Sequence, residues 1–479
     1  MNRTIEGMYV GGQWLPVGAD TASIAVRNPS DSSTIAEVSY GGSAQATAAA
    51  DAAAAAFDGW ANQPARARST LLLTAADLLD ERAARIGRLL ATETGKRLPE
   101  GVGEIAFAAE FFRWFGHQIR QPHGELLTSD IDGRRQLVVR RPAGVAVCLT
   151  PWNFPVSIQA RKIAAALAAG CTTVSRASEK APLAVVEMFR CLADAGFPAG
   201  VVNLVQGPAA EVTEDLLAHP AVRVVSFTGS TGVGKRIMRL AADRVVRPAL
   251  ELGGDAAFVV CQDADVDAAV EDAMVAKFRN NGQSCIAANR FLVHEAVYHR
   301  FRDALVAKVD AMTIGDPLAD PVPDLGPLID DTRVAAIREL AEDAEASGAK
   351  RLTAEREAPP GGSYLVPSLW DEVPDTARLA TEEAFGPVAA LFRFGSDDEA
   401  IARANATEMG LASYVYTKDN ARAWRYTEEL DAGIIGCNTP LPPSANAPLG
   451  GVKQSGLGRE GGSLGIEEFT VTRYAAWQL

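Results

Sequence analysis

Cys285 lies in the run KFRNNGQSCIAANR, Lys277 to Arg290, three residues beyond Gly282. A loop thiol beside a tight glycine turn can be exposed and activated, and as thiolate it attacks electrophilic carbon. Taken by residue type alone, the bland alternative is a half-buried thiol with no chemistry. Two further segments bear on the choice. Thr150-Pro-Trp-Asn-Phe-Pro155 offers Asn153, whose amide is a good donor to a developing oxyanion, although a turn-capping Asn reads the same in isolation. Leu250-Glu-Leu-Gly-Gly254 offers Glu251, a carboxylate with free backbone around it that burial could bring into general-base range; otherwise it is a solvated Glu.

Three glycine-rich stretches complete the set. Phe227-Thr-Gly-Ser-Thr-Gly-Val-Gly234 follows an apolar run and opens a helical one, a place that favours phosphate. It is neither the GxGxxG fingerprint nor a P-loop, and an ordinary strand–helix turn would look alike. Glu382 to Pro387 and Leu449 to Glu460 combine glycines with polar groups that could grip a ribose or line a tunnel, or form simple loops.

These residues need elements to hold them. Asp265 to Arg279 carries Val266, Ala269, Val270, Met274 and Phe278 at helical spacing, and Asn280, Asn281 and Gly282 read as its stop, which puts Cys285 in a loop. From Ala143 the chain alternates strand-like runs (144–149, 172–176, 201–205, 222–227, 256–261) with helical ones (155–169, 183–195, 210–219, 233–242). Such alternation predicts a parallel sheet with helices on both faces, and a second alternating region follows over 251–440. Asn153 would then sit at the carboxyl end of a parallel strand, where open α/β sheets bind ligands. The first 120 residues read as helix-rich, with runs at Ala44–Trp60 and Ala65–Glu93. Arg134–Arg140 and Phe469–Leu479 are β-forming stretches without an obvious neighbour, either local edge hairpins or edges completed by another subunit.

Composition narrows the class. The 479 residues are 48% hydrophobic and 22% charged, the make-up of a soluble globular protein of about three domains. A net charge of −14 argues against nucleic acid or anionic membrane as partner. No apolar run is long enough for a membrane span, and the N-terminal run lacks the core of a secretory signal, so a cytoplasmic location is expected. The six cysteines (148, 171, 191, 261, 285, 437) are scattered, which predicts neither a disulfide framework nor a metal site; all but Cys285 fall in apolar runs that favour burial.

In order, spacing and wording, the segments around Cys285, Glu251, Asn153, Glu383 and Glu460 resemble the aldehyde dehydrogenase superfamily over essentially the whole chain. The resemblance implies an α/β fold: a Rossmann-like cofactor domain (1–120 and 142–250), a catalytic domain (251–440), a glycine-rich active-site loop (441–461) and oligomerisation strands (121–141 and 462–479). A homodimer or homotetramer is implied. Cys285 matches the nucleophile that forms a thiohemiacetal and then a thioester. Asn153, with the N–H of Cys285, matches the oxyanion hole, and Glu251 the base that activates hydrolytic water. Lys162 and Glu460 match proton-relay positions. Trp152, Arg176, Glu179, Gly229, Ser230 and Gly234 match contacts to the adenosine and pyrophosphate of NAD(P), and Glu383 and Phe385 those to the nicotinamide riboside. Glu251 argues against acyl transfer to CoA, and the joint presence of Cys285, Asn153 and Glu251 argues against a binding protein without turnover.

The chain departs from the family pattern at several points. Arg176 stands where Lys is usual and Ala177 where Pro is usual. A guanidinium fork could hold a 2′-phosphate, but Glu179 would repel it, so NAD is expected with NADP open. Asp255 and Ala257 replace Asn or Lys and Pro, changes expected to tune packing. The Cys285 segment is most similar to the succinate-semialdehyde branch, whose two carboxylate-binding arginines match Arg161 and Arg279. Each has a plainer reading, Arg161 as a salt bridge and Arg279 as a helix C-terminal cation. A serine of that branch corresponds to Pro443, so Ser444 is the expected substitute. Ala287 replaces a second cysteine, which removes a redox pair. An aromatic or other aliphatic aldehyde is the alternative substrate.

Overall fold

The computed structural model describes residues 4–18, 21–121 and 124–479. Residues 1–3 and 19–20 of the expected cofactor domain, and 122–123 of the first oligomerisation segment, lie outside the described residues. Two large sheets dominate. The first is eight-stranded, and its centre runs Arg247–Glu251, Val222–Thr228, Val145–Leu149, Thr172–Arg176, Val202–Val205, all parallel. Antiparallel strands close both edges: Gly456–Leu457 beside Glu251, and Met8–Val10 with Gln13–Leu15 at the far side. The second sheet is seven-stranded, with Ser368–Asp371, Val388–Phe394, Ala288–His294, Ala256–Val260, Ala412–Tyr416 and Ile434–Cys437 in parallel order.

Both sheets are covered on both faces, which is why their strands read as unbroken apolar runs. Val145, Val147 and Leu149 enter one core, while Ala146 and Cys148 enter another. Ala256, Phe258 and Val260 likewise part from Ala257 and Val259. The two-residue period of a pleated strand does this sorting. The helix Pro155–Ala169 runs behind the first sheet, with Pro at its first position and Gly170 (φ 96°) as left-handed cap. Every residue of it is buried except Arg161.

The first 120 residues differ from expectation in one respect. Helices Ser43–Ala61, Ala65–Thr94 and Leu98–Gln118 are present, but strands occupy much of 4–40 ahead of them. Three of these strands span only two or three residues and Ala22–Arg27 is mostly exposed, so the segment carries no clear two-residue apolar pattern. The orphan tail finds its partner far away in sequence. Thr470–Gln478 pairs antiparallel with Arg134–Pro142 along its whole length, and Gly124–Leu127 completes a three-stranded sheet as a local hairpin. That sheet presents Leu126 (71% exposed), Tyr474 (55%) and Trp477 (60%) to solvent. Of the cysteines expected to be buried, 148, 171, 191 and 261 are, and Cys437 is only half-buried. No described helix is long and apolar enough to cross a membrane.

Candidate active site

From Val145–Leu149 the chain winds outward through Thr172–Arg176 and Val202–Val205, then returns to Val222–Thr228 on the other side and winds away through Arg247–Glu251. The order reverses between Leu149 and Thr228, the switch point where open sheets leave a crevice at their carboxyl ends. Two cavities of about 210 Å³ each open there. One is lined by Leu149, Thr150, Arg176, Phe227, Val233 and Ile237. The other is lined by Trp152, Asn153, Gly229, Ser230, Glu383, Phe385 and Cys285. A third, of about 70 Å³, reaches Cys285 from the opposite side and is lined by Arg161, Glu251, Arg279, Ile286 and Pro443 among others. The thiol stands where the second and third cavities meet.

The loop that carries Cys285 is held from below. Asn280 and Asn281 adopt left-handed conformations (φ 53° and 58°), which Asn tolerates better than most residues. The Asn281 amide donates to the carbonyls of Gly95 (3.0 Å) and Pro327 (2.8 Å), and its oxygen accepts from the N–H of Gly326 (2.8 Å). Gln283 accepts from the N–H of Ile329 at 3.0 Å. A Cβ on Gly254 would lie 2.1 Å from the Cys285 carbonyl oxygen, so glycine is required at that close approach. The expected stop signal is thus a buried, bonded turn. Burial, with Glu383 and Glu251 nearby, pushes the Cys285 thiol up to about 12 against the opposing pull of Arg161.

Asn153 is buried, and its amide nitrogen lies 3.2 Å from the Gln283 carbonyl, while its amide oxygen has no hydrogen-bond partner among the described residues. Glu251 ends its strand beside Gly450, where a Cβ would come within 2.9 Å of its carboxylate. Burial and the neighbouring Glu460 charge raise the Glu251 carboxyl to about 8. Glu460 is buried too, but the Arg161 and Lys162 cations outweigh that and hold its carboxyl low. One Glu460 oxygen takes Lys162 Nζ and the Ser226 hydroxyl (2.9 Å), and Ser226 also accepts from Lys162 at 3.0 Å. The other oxygen takes Arg161 Nε. Arg161 therefore faces the small cavity with its back tied to Glu460. Arg279 instead rests its guanidinium 5.1 Å from the Phe154 ring centroid.

On the other side, Trp152 and Phe385 meet edge to face at 5.5 Å. Glu383 accepts from the N–H of Gly254 at 3.2 Å, and burial raises its carboxyl to about 8. Arg176 donates to the Gly207 carbonyl and pairs with Glu179 at 2.5 Å. Ser230 caps the helix Thr231–Ala242 without a side-chain bond of its own, leaving that helix N-terminus open to the crevice. Gly234 faces Leu252, 2.4 Å from where a Cβ would stand, so its part is close packing of helix against strand end.

A family model described as "Aldehyde dehydrogenase family" matches residues 15–475. The chain belongs to the aldehyde dehydrogenase family. A glutarate-semialdehyde dehydrogenase of Pseudomonas putida is 42% identical over 467 residues, 97% of this chain and 96% of the relative. A succinate-semialdehyde dehydrogenase of Escherichia coli K12, named for NADP(+), is 40% identical over 465 residues, with the same shares covered. The crystal structure of succinate-semialdehyde dehydrogenase from Burkholderia pseudomallei superposes with a TM-score of 0.96 at 40% identity, covering 98% of each chain.

In this aldehyde dehydrogenase the crevice fits a dinucleotide on its own terms. An apolar slot between Phe227, Val233, Ile237 and Leu240 suits a base. Thr228 Oγ1 is buried without a partner among the described residues, on the wall next to the open helix end. Of the three substrate candidates, Arg161 and Arg279 line the small cavity with Cys285 and Ser444 does not. Its hydroxyl turns to Asn446 at 2.6 Å, and Pro443 occupies the cavity wall instead. Asp255 pairs with Arg290 at 2.8 Å, both buried, the packing role expected of that departure. Sequence reading missed Ser226, Arg333 and Lys96. Arg333 joins the Cys285 cavity from a distant helix with no motif around it, and Ser226 is a single serine within an apolar strand, beside Lys162.

Proposed function

We propose that this aldehyde dehydrogenase oxidises succinate semialdehyde to succinate, with NAD preferred to NADP. The observation that carries the substrate is the pair of arginines, 161 and 279, in the wall of the small cavity that ends on Cys285 and Glu251. Guanidinium groups bind carboxylates by short, charge-assisted bonds, and two of them beside a nucleophile select an aldehyde with an acid at its far end. A longer ω-carboxylate, glutarate semialdehyde, is the second reading, favoured by the name of the Pseudomonas putida relative.

In this reading the Cys285 thiol gives its proton to Glu251, which lines the same small cavity, and Sγ attacks the aldehyde carbon while the Asn153 amide and the Cys285 N–H hold the oxygen as it gains charge. When bound, the dinucleotide supplies the two-electron acceptor. Glu383 and Phe385, with Trp152 packed edge-on against the Phe385 ring, would hold the nicotinamide riboside, and the open end of the helix Thr231–Ala242 would take the pyrophosphate. Glu251 then removes a proton from the water that hydrolyses the thioester, and Lys162 with Glu460 passes that proton on. Arg176 is already engaged by Glu179, which leaves less of its fork for a 2′-phosphate and supports NAD. The solvent-facing apolar side chains of the three-stranded sheet are the surface for self-association. This reading keeps the division into a cofactor domain, a catalytic domain and oligomerisation strands, with Asn153, Arg161 and Lys162 reaching the site from the first and Glu383 and Phe385 reaching the dinucleotide from the second.

The test is steady-state formation of NADH and NADPH with succinate semialdehyde, glutarate semialdehyde, butanal and benzaldehyde. The reading expects the highest kcat/KM with NAD and succinate semialdehyde; equal or better turnover of butanal or benzaldehyde would refute the substrate assignment.

A further inference from the structure

The amine of Lys96 is wholly buried between the helices Ala65–Thr94 and Leu98–Gln118. It donates to the main-chain carbonyl of Asn153 at 2.7 Å and forms an ion pair with Glu104, whose side chain is equally buried. Glu104 in turn accepts from the N–H groups of Val156 (3.0 Å) and Ser157 (3.1 Å). The amine also sits 4.4 Å from the centroid of the Phe154 ring. The helix Pro155–Ala169 has no side-chain cap from Phe154, so Glu104 supplies from outside what an N-cap residue normally would. Lys96 and Glu104 therefore hold the chain at 153, 154, 156 and 157.

A buried ion pair is a poor way to gain stability, since apolar side chains of similar volume usually do as well. What this pair provides is aim. The Asn153 carbonyl takes a second donor, the amide of Asn280 at 3.0 Å, which also donates to the Gln283 carbonyl at 3.0 Å. The Asn153 amide nitrogen points to that same Gln283 carbonyl. Two residues before Cys285, the nucleophile's loop and the Asn153 segment are thus locked in one ring of bonds, and Lys96 anchors it from the far side. We propose that Lys96, held by Glu104, is a positioning residue that fixes the Asn153 amide over Cys285. This rests on Asn153 serving as oxyanion donor.

The experiment compares Lys96→Met, the charge-matched pair Lys96→Met/Glu104→Gln, Asn153→Ala and Lys96→Met/Asn153→Ala in the full-length enzyme. Thermal midpoint, kcat, KM for NAD and the rate of Cys285 alkylation by iodoacetamide are measured for each. Lys96→Met is expected to lower kcat about 10–100-fold, a fraction of the loss typical of removing an oxyanion donor. KM for NAD and the alkylation rate should stay within about twofold, since neither uses the amide. In the charge-matched pair the midpoint should recover while kcat stays low, and Lys96→Met should add nothing in the Asn153→Ala background. Recovery of kcat together with the midpoint, or full additivity with Asn153→Ala, would overturn the proposal. Full turnover by Asn153→Ala would sink the oxyanion reading itself, a result distinct from failure of Lys96 alone.

Discussion

Arg279→Met separates binding of a substrate's far end from the chemistry at Cys285. Arg161 is the less informative target, because its Nε is bonded to Glu460 and its loss would disturb the network that includes Lys162 and Ser226. Arg279 has no such tie among the described residues; its contact with Phe154 is a cation–π one at 5.1 Å, of the kind worth about 0.5–1 kcal/mol. Methionine keeps most of the apolar stem, so the cavity wall survives. Hydrogen bonds to a charged partner contribute about 1.5–3 kcal/mol. Losing that toward an ω-carboxylate lowers kcat/KM by about 10–150-fold, at 1.4 kcal/mol per factor of ten. The assay is NADH formation with succinate semialdehyde and with butanal, which has the same chain length and no acid. Butanal should stay within about threefold of the parent enzyme, since the residues around Cys285 are untouched. An equal fall with both substrates, or no change with either, would refute the carboxylate clamp.

Other outcomes follow from the same geometry. Glu251 must be ionised to accept a proton, and its carboxyl is raised to about 8; hydrolysis-limited turnover should therefore climb through pH 8 and level off above it, a limb that Glu251→Gln removes. The Cys285 thiol is raised to about 12, so in the cofactor-free enzyme its alkylation by iodoacetamide should keep rising up to pH 10 with no plateau, whereas a plateau near pH 7 would contradict the burial argument. Replacing Tyr474 and Trp477 by Ser should shift the enzyme toward smaller species in sedimentation velocity with the far-ultraviolet spectrum unchanged; an unaltered distribution would remove the three-stranded sheet as the self-association surface.

The central strands and helices were legible because each is buried on a defined face, and burial writes a period into the residues. The helix Pro155–Ala169 and the strand Thr172–Arg176 fall where their apolar runs and the Pro and Gly around them place them. Most of the strands within 4–40 were not, being two or three residues long or, like Ala22–Arg27, mostly exposed, so packing leaves little mark on their composition. Of the candidate site, Cys285, Asn153 and Glu251 do converge, since each sits at or just past a strand or helix end facing one crevice. What pairs with them was hidden. Nothing near Arg161 in the chain announces Glu460, roughly 300 residues on, and Lys96 lies in a turn between helices with no motif to mark it. Ser444 shows the limit in the other direction: a neighbour in sequence is turned away, and Pro443 takes the wall. The tail needed Arg134–Pro142, a pairing across the whole chain that local pattern cannot supply.

The central claim is that the acyl group passes through Cys285 and is released by Glu251. Glu251→Gln, mixed with NAD and succinate semialdehyde and quenched in acid within one turnover, should carry a succinyl group on the peptide containing Cys285, with NADH formed in equal amount. Cys285→Ser should form neither. A succinyl group on another residue, or a stoichiometric burst of NADH from Glu251→Gln with no adduct at Cys285, would contradict the account.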